Sequence, residues 1–246
     1  EAENAVRWAL EAGYRHIDTA KVYGNEKSVG NAIRNSSVKR DEIFITTKLW
    51  NDDMRQNRQM EAFEESLELL GIDYVDLYLI HWPVENFVES WKVMEEIYNS
   101  GKAMAIGVSN FQTHHLDTLL KEAAITPAVN QFECHPYLAQ MPLIEYCKSK
   151  GIICEAYSPL GGERGNVLAD ETIVRLAKKH DRTPAQIVLR WNLERGVIVI
   201  PKSIRQERII SNARLFDFDL SPADMDSLFA LNTNQRFSAD PDTFNF

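Results

Sequence analysis

Apolar residues recur at helical spacing from the first positions of the chain. Ala2, Ala5, Val6, Ala9 and Leu10 share one face of "AENAVRWALEAG", and Gly13 follows as a stop signal. "RHIDTA" then reads as short and extended, residues 25–34 as helical, "EIFITTKLW" as a strand, and "MEAFEESLELLG" as an amphipathic helix ending at Gly71. The alternation continues through strand "YVDLYLIH", helix "VESWKVMEEIYNSG", strand "AMAIGVSN", helix "HHLDTLLKEA", strand "PAVNQFE", helix "MPLIEYCKSKG" and strand "IICEAYSP". Helices "DETIVRLAKKH" and "TPAQIVLRWNLERG" precede strand "VIVIPKS". Helices "QERIISNA" and "SPADMDSLFALN" close the pattern, the last with Ser221 as N-cap and Pro222 at its first position.

Strands separated by amphipathic helices imply a parallel sheet, because parallel neighbours need a crossover connection. Their Val, Ile and Leu content fits strands covered on both faces. The pattern holds seven strands and opens on a helix. An eight-stranded α/β (TIM) barrel is therefore expected to lack its N-terminal hairpin and first strand here, with the sequence beginning inside the domain. A doubly wound open sheet shows the same alternation, and the discriminator is where the polar residues fall. Asp18, Lys48, His81, Ser109, Asn110, Gln131, Tyr157, Ser158, Lys202 and Ser203 gather at strand C-terminal ends. In a barrel those ends meet on one rim, where barrel active sites lie. No GxGxxG turn follows the first strand, and "GGERG" after "YSPL" lacks that spacing.

Length and charge narrow the picture further. A chain of 246 residues suits a single barrel domain spanning 1–246, and no low-complexity or Pro/Gly-rich linker divides it. The net charge of -9 argues against a general nucleic-acid surface. No apolar run approaches the roughly 18 residues of a membrane helix, and the first residues do not resemble a signal peptide, so no membrane partner and a cytoplasmic location are expected. Cys134, Cys147 and Cys154 are odd in number and form no CxxC pair, which points to reduced, buried thiols.

Seven segments together, "GYRHIDTAKVYGNE", "FITTKLWN", "DYVDLYLIHWP", "AIGVSNF", "VNQFECHPY", "EAYSPLG" and "VIVIPKSIRQERIISN", resemble the aldo-keto reductases in order and across nearly the whole chain. The short tail is closest in style to microbial members, including those like 2,5-diketo-D-gluconate reductase. The resemblance implies a TIM barrel that reduces aldehydes and ketones with NADPH and without a Rossmann domain, and a monomer. It carries the catalytic roles to Asp18, Tyr23, Lys48 and His81. The chemistry suits them. Hydride delivery to a carbonyl creates an alkoxide that needs a proton donor within reach, and Tyr23 is that donor. A phenol with a pKa near ~10 is a reluctant acid, and the Lys48 ammonium, held by Asp18, favours its proton release. His81 would donate to the carbonyl oxygen and orient it. His16 shares the face of Asp18 and is given a structural role.

By the same resemblance Ser109, Asn110 and Gln131 bind the nicotinamide carboxamide, and Tyr157 stacks beneath the ring. Side-chain amides match a carboxamide's donor and acceptor, and an aromatic face supports a planar ring. Ser158, Leu160 and Gly162 of "SPLGG" approach the pyrophosphate, with "ERGNV" as a flap; a plain flexible turn is the competing reading. Lys202, Ser203 and Arg208 match contacts to the adenosine 2'-phosphate, which favours NADPH over NADH, and Asn212 matches an adenine contact. Ser211 departs from the glutamate of many relatives.

Trp50 and Trp82 are expected to wall the pocket of a small-molecule carbonyl substrate, with Val22 and His135 nearby and a short tail leaving the pocket open. Trp8, Trp91 and Trp191 are assigned to the core. Two other functions compete with the NADP-dependent reductase: a cofactor-binding regulatory module with little turnover, and a metal-dependent barrel hydrolase using His16, Asp18 and His81. The second needs three or four converging ligands and leaves the cofactor pattern unexplained, so no metal is expected.

Overall fold

Helical and extended periods of the sequence become alternating elements in the computed structural model, which describes residues 1–162 and 165–246. The strands are β1 (His16–Asp18), β2 (Phe44–Leu49), β3 (Leu77–Ile80), β4 (Ile106–Ser109), β5 (Val129–Glu133), β6 (Ile153–Tyr157) and β7 (Val197–Val199). The helices are α1 (Ala2–Glu11), α2 (Glu26–Arg34), α3 (Asn51–Arg55), α4 (Gln59–Leu70), α5 (Phe87–Asn99), α6 (Thr113–Leu120), α7 (Met141–Ser149), α8 (Glu171–His180), α9 (Pro184–Glu194), α10 (Gln206–Asn212) and α11 (Pro222–Phe229). The α11 cap is as read from the sequence: the Ser221 hydroxyl accepts the Asp224 N–H at 3.3 Å and donates to its carboxylate at 2.7 Å. The sequence pattern did not foresee α3, a five-residue turn of helix after Trp50.

All seven strands pair in parallel in the order β1-β2-β3-β4-β5-β6-β7. Sheet order equals chain order, so the winding never reverses. A doubly wound sheet requires such a reversal at its switch point, whereas a barrel forbids it. The register sets Asp18 against Thr46, Lys48 against Leu79, Ser109 against Gln131, and Gln131 against Glu155. Because strand side chains alternate, one face of the sheet carries His16, Asp18, Lys48, Leu77, Leu79, Gly107, Ser109, Val129, Gln131, Glu155 and Tyr157, and it turns inward. His81 follows β3 in the same phase.

The inner face is graded along the barrel axis. Leu77, Leu79 and Val129 form a small apolar cluster at its floor, and the polar groups lie above it toward the strand C-terminal ends. The outer face joins the helices in a larger core that includes Ile45, Phe63, Tyr78, Trp91, Phe111 and Phe132. Gly30 lets α2 approach α4: a Cβ there would lie 2.0 Å from the Leu70 carbonyl oxygen. Trp91 and Trp191 are buried as expected. Trp8 is only half-buried and lies beside Arg7, because the apolar stripe of α1 runs along Val6 and Leu10. Cys134, Cys147 and Cys154 are buried and unpaired.

Candidate active site

Lys48 is completely buried, and a lysine can be so placed only when its charge is matched. Its ammonium donates to Asp18 Oδ1 in a short ion pair and to the Thr19 carbonyl at 2.9 Å. It also lies 5.3 Å from the centre of the Tyr23 ring. The Tyr23 ring meets His81 edge-on at 5.8 Å, and Trp50 meets His81 edge-on at 5.3 Å. Asp18 and Tyr23 from one segment, Lys48 from a second and His81 from a third thus converge on one point of the rim.

Tyr23 sits in a turn of 3-10 helix, Lys21–Tyr23, which is fastened on both sides. Thr19 Oγ1 donates to Asn25 Oδ1 at 2.6 Å, and Thr47 Oγ1 donates to the buried Glu26 at 2.6 Å. Lys21 reaches Asp53 at 3.1 Å and Glu65 at 2.7 Å. None of these holding residues was singled out from the sequence. Their signal, polar positions flanking "VYG", looks like ordinary turn chemistry until the strands bring Thr47 and Asp53 alongside.

The electrostatics depart from the expectation for the tyrosine. Burial pushes the Tyr23 phenol above its ordinary value; the Lys48 ammonium pulls it down, Asp18 pushes it up, and burial prevails. Tyr23 is 52% exposed as a residue, yet its hydroxyl end is enclosed enough for burial to dominate. His81 is driven well below the usual imidazole range by burial and then by Lys48. It is neutral, and its Nδ1 is buried without a partner among the described residues.

Ser109, Asn110 and Gln131 are all buried. The Asn110 amide is engaged at both ends: Nδ2 donates to the His81 carbonyl at 3.0 Å, and Oδ1 accepts from the Tyr157 hydroxyl at 2.7 Å. Asn110 therefore ties the end of β3 to the end of β6. Gln131 spends one nitrogen on two carboxylates, Asp18 at 2.8 Å and Glu155 at 2.6 Å, which leaves its Oε1 as the acceptor facing outward from those bonds. Glu155 is the acidic neighbour that sequence reasoning missed. In "IICEAYSP" it looks like one polar residue in a strand, and only the barrel turns it inward.

Two non-glycine residues at strand ends have left-handed backbone, Asn110 with φ 65° and Ser158 with φ 45°. Such conformations are costly for residues with a Cβ and cluster where chain geometry serves a site. Gly161 and Gly162 follow with φ 81° and 60°; a Cβ on Gly161 would fall 2.3 Å from Val167, whereas Gly162 is exposed. Leu160 packs on the β7 side of the barrel with Val167 and Phe237. Glu163 and Arg164 of the expected flap lie outside the described residues. Beyond β7, Lys202, Arg205 and Arg208 are exposed, and no salt bridge among the described residues uses them. Ser203 is half-buried and Asn212 is buried at the end of α10.

The tail closes on the aromatic wall. Phe246 stacks on Trp50 at 5.9 Å, and Phe244 and Phe246 lie 4.9 and 5.2 Å from Trp82. The open pocket expected from a short tail is thus narrowed at this wall. The tail is pinned by Glu133, which accepts from the Phe237 and Ser238 N–H groups at 2.8 and 3.1 Å. His135, expected at the pocket, is instead fully buried: its Nε2–H donates to Glu133 at 3.1 Å, and its ring stacks on Phe237 at 4.9 Å. Val22 is exposed on the Tyr23 turn. His16 has its Nε2 on Thr46 Oγ1 at 3.0 Å and Phe44 edge-on.

Among the described residues, the histidines and carboxylates close enough to share an ion are His114, His115 and Asp242, on α6 and the tail; His16, Asp18 and His81 do not form such a group. A concavity of about 880 Å³ on the outside of α4 is lined by Glu61, Glu64, Glu68 and Asp73, the wrong sign for a phosphate-bearing ligand. No helix among the described residues is long and apolar enough to cross a membrane.

On the rim of this parallel barrel a lysine-aspartate pair thus lies beneath a tyrosine and a neutral histidine. The chain belongs to the Aldo/keto reductase family, whose model matches residues 1–233. Family members generally use a nicotinamide cofactor. The chain is 51% identical to the glyoxal reductase of Bacillus subtilis (strain 168), covering all of this chain and 89% of that protein. It is 49% identical to the 9,11-endoperoxide prostaglandin H2 reductase of Trypanosoma cruzi, over 99% of this chain and 87% of that one. Among solved structures it resembles MGS-M4, an aldo-keto reductase enzyme from a Medee basin deep-sea metagenome library, with a TM-score of 0.97, 48% identity, and coverage of 100% and 92% of the two chains.

Proposed function

We propose that the chain reduces small aldehydes and ketones, with glyoxals and keto-sugars as the first candidates, using NADPH as hydride donor and Tyr23 as general acid. The observation that carries this reading is the buried Lys48, paired with Asp18 and set under the Tyr23 ring beside a neutral His81. The relative named for glyoxal reduction supports the substrate class.

The residues fit a nicotinamide dinucleotide along the rim. Gln131 has an amide oxygen free for the carboxamide, while Asn110 is committed to His81 and Tyr157 and so serves to place those two. The left-handed Ser158 and the exposed Gly162 suit the close approach of a pyrophosphate, the Gly161 N–H being spent on the Ser158 carbonyl at 2.9 Å, and Lys202 and Arg208, in no salt bridge among the described residues, are cations suited to a 2'-phosphate. When bound, the cofactor supplies the hydride.

The chain's own groups handle the proton. A phenol raised above its ordinary value stays protonated through the neutral range, so Tyr23 is loaded as an acid when the alkoxide forms. Lys48 stabilises the phenolate left behind, and Asp18 keeps the lysine charged and aimed. A neutral His81 keeps one N–H to donate to the carbonyl oxygen without adding a competing positive charge beside Lys48. Trp50, Trp82 and the tail phenylalanines enclose the apolar part of the substrate.

The test is NADPH oxidation with methylglyoxal, aromatic aldehydes and 2,5-diketo-D-gluconate, comparing wild type with Tyr23→Phe. Lost reduction with retained NADPH binding supports the acid role; unchanged reduction overturns it.

A further inference from the structure

Glu155 stands on the inner face of β6, two residues before Tyr157, and is only 1% exposed. Nothing in the proton chemistry above uses it. Its Oε1 accepts from Gln131 Nε2, which donates at the same time to Asp18 Oδ2. The other oxygen of Asp18 carries the Lys48 ammonium. One run of contacts therefore links Glu155, Gln131, Asp18 and Lys48 and ends beneath Tyr23. On the far side, Glu155 Oε2 lies 3.7 Å from His16 Nδ1.

We propose that Glu155 is a positioning residue of this site: through Gln131 it fixes Asp18, and it holds the Gln131 amide so that Oε1 faces the nicotinamide carboxamide. The inference rests on the reductase reading above for the identity of that ligand. The physical reason is the count of donors and acceptors. An ionised Glu155 and an ionised Asp18 can only accept, so both draw on the nitrogen end of Gln131, and the amide has one orientation. A protonated Glu155 is itself a donor. It then competes for Asp18 or draws the oxygen end of Gln131 toward itself, and the carboxamide loses its acceptor.

The charged and titratable groups facing Glu155 are His16 and Asp18 from β1 and Lys48 from β2; β5 presents the Gln131 amide, and β7 presents Ile198. Burial and the Asp18 charge push Glu155 up to about 7, against the pull of the Gln131 bond and Lys48. Burial holds His16 below its ordinary range, so it brings no compensating positive charge at neutral pH. The ordered arrangement is present above the Glu155 pKa and is lost as pH falls through it.

Infrared titration of the cofactor-free protein, with NADPH affinity by fluorescence and methylglyoxal turnover across about pH 5.5 to 9, tests this in wild type, Glu155→Gln and Glu155→Leu. Wild type should show a carboxylic-acid band titrating near pH 7 and a matching weakening of NADPH binding below it. Glu155→Gln should lose both inflections, and Glu155→Leu, which strands the Gln131 amide, should weaken NADPH binding by about tenfold at every pH. A merely structural residue would lower the melting temperature of both variants and leave the pH profile in place. An unaltered Glu155→Gln profile, or a Glu155→Leu protein with wild-type affinity, overturns the inference. A wild-type protein that binds NADPH but reduces no carbonyl overturns the parent reading instead, and the binding and infrared curves still decide the role of Glu155.

Discussion

The rim from β1 to β6 and the segment beyond β7 are built on opposite principles. At the first, one run of bonds ties Lys48, Asp18, Gln131 and Glu155, and a second ties His81, Asn110 and Tyr157. At the second, Lys202, Arg205 and Arg208 stand in solvent with no salt bridge among the described residues. Chemistry at a carbonyl needs its donors held in place in advance, because reorganisation during the reaction adds to the barrier. Recognition of a phosphate needs only accessible positive charge, and leaving it unpaired avoids breaking a salt bridge on binding. The protein spends order at one end and leaves freedom at the other.

The largest expected effect lies at the ordered end. Tyr23→Phe should lower kcat by about 10²–10⁴-fold, the usual share of a general acid, with NADPH affinity nearly unchanged. Loss of binding in step with kcat would show that the two ends are not separable. Lys48→Met should cost about 3–5 kcal/mol of stability by leaving Asp18 uncompensated, read as a fall in the denaturation midpoint. The same substitution removes the influence that lowers the Tyr23 phenol. The contribution of Tyr23 to kcat at saturating NADPH should therefore be lost only above the ordinary phenol range, and in Lys48→Met that alkaline limb should move higher still.

At the free end, Lys202→Ala and Arg208→Ala should each weaken NADPH by about tenfold, while NADH affinity and kcat at saturation stay put. Equal losses for both cofactors would remove the 2'-phosphate role. A smaller effect tests the border between the regions: Phe246→Ala should raise KM for an aromatic aldehyde by about 2–10-fold through the lost stacking on Trp50. Ser221→Ala, remote from both, should lose about 1 kcal/mol of the α11 cap and leave all kinetic constants alone.

The alternation of apolar stripes made the strands and nearly all the helices legible, and α3 escaped because five residues carry too little period to read. The fully buried Lys48 was legible as a site residue only with the motif around it, since an isolated lysine reads as solvated. His135 shows the converse. It was expected beside the substrate pocket, but Glu133 and Phe237 enclose it, and Phe237 lies about a hundred residues away. The tail misled for the same reason: its length is a sequence property, and its seat against Trp50 and Trp82 is not.

Local sequence determined what repeats within a few residues: the order of elements, the Ser221 cap, the glycines that turn the chain after β6, and the placing of polar groups at strand ends. Tertiary structure decided which of those groups share a hydrogen bond. Gln131 joins Asp18, 113 residues earlier, to Glu155, and Asn110 joins His81 to Tyr157. Periodicity fixes which face a strand residue takes, but only the register between strands, set by packing against the helices outside, brings two inward faces within bonding distance.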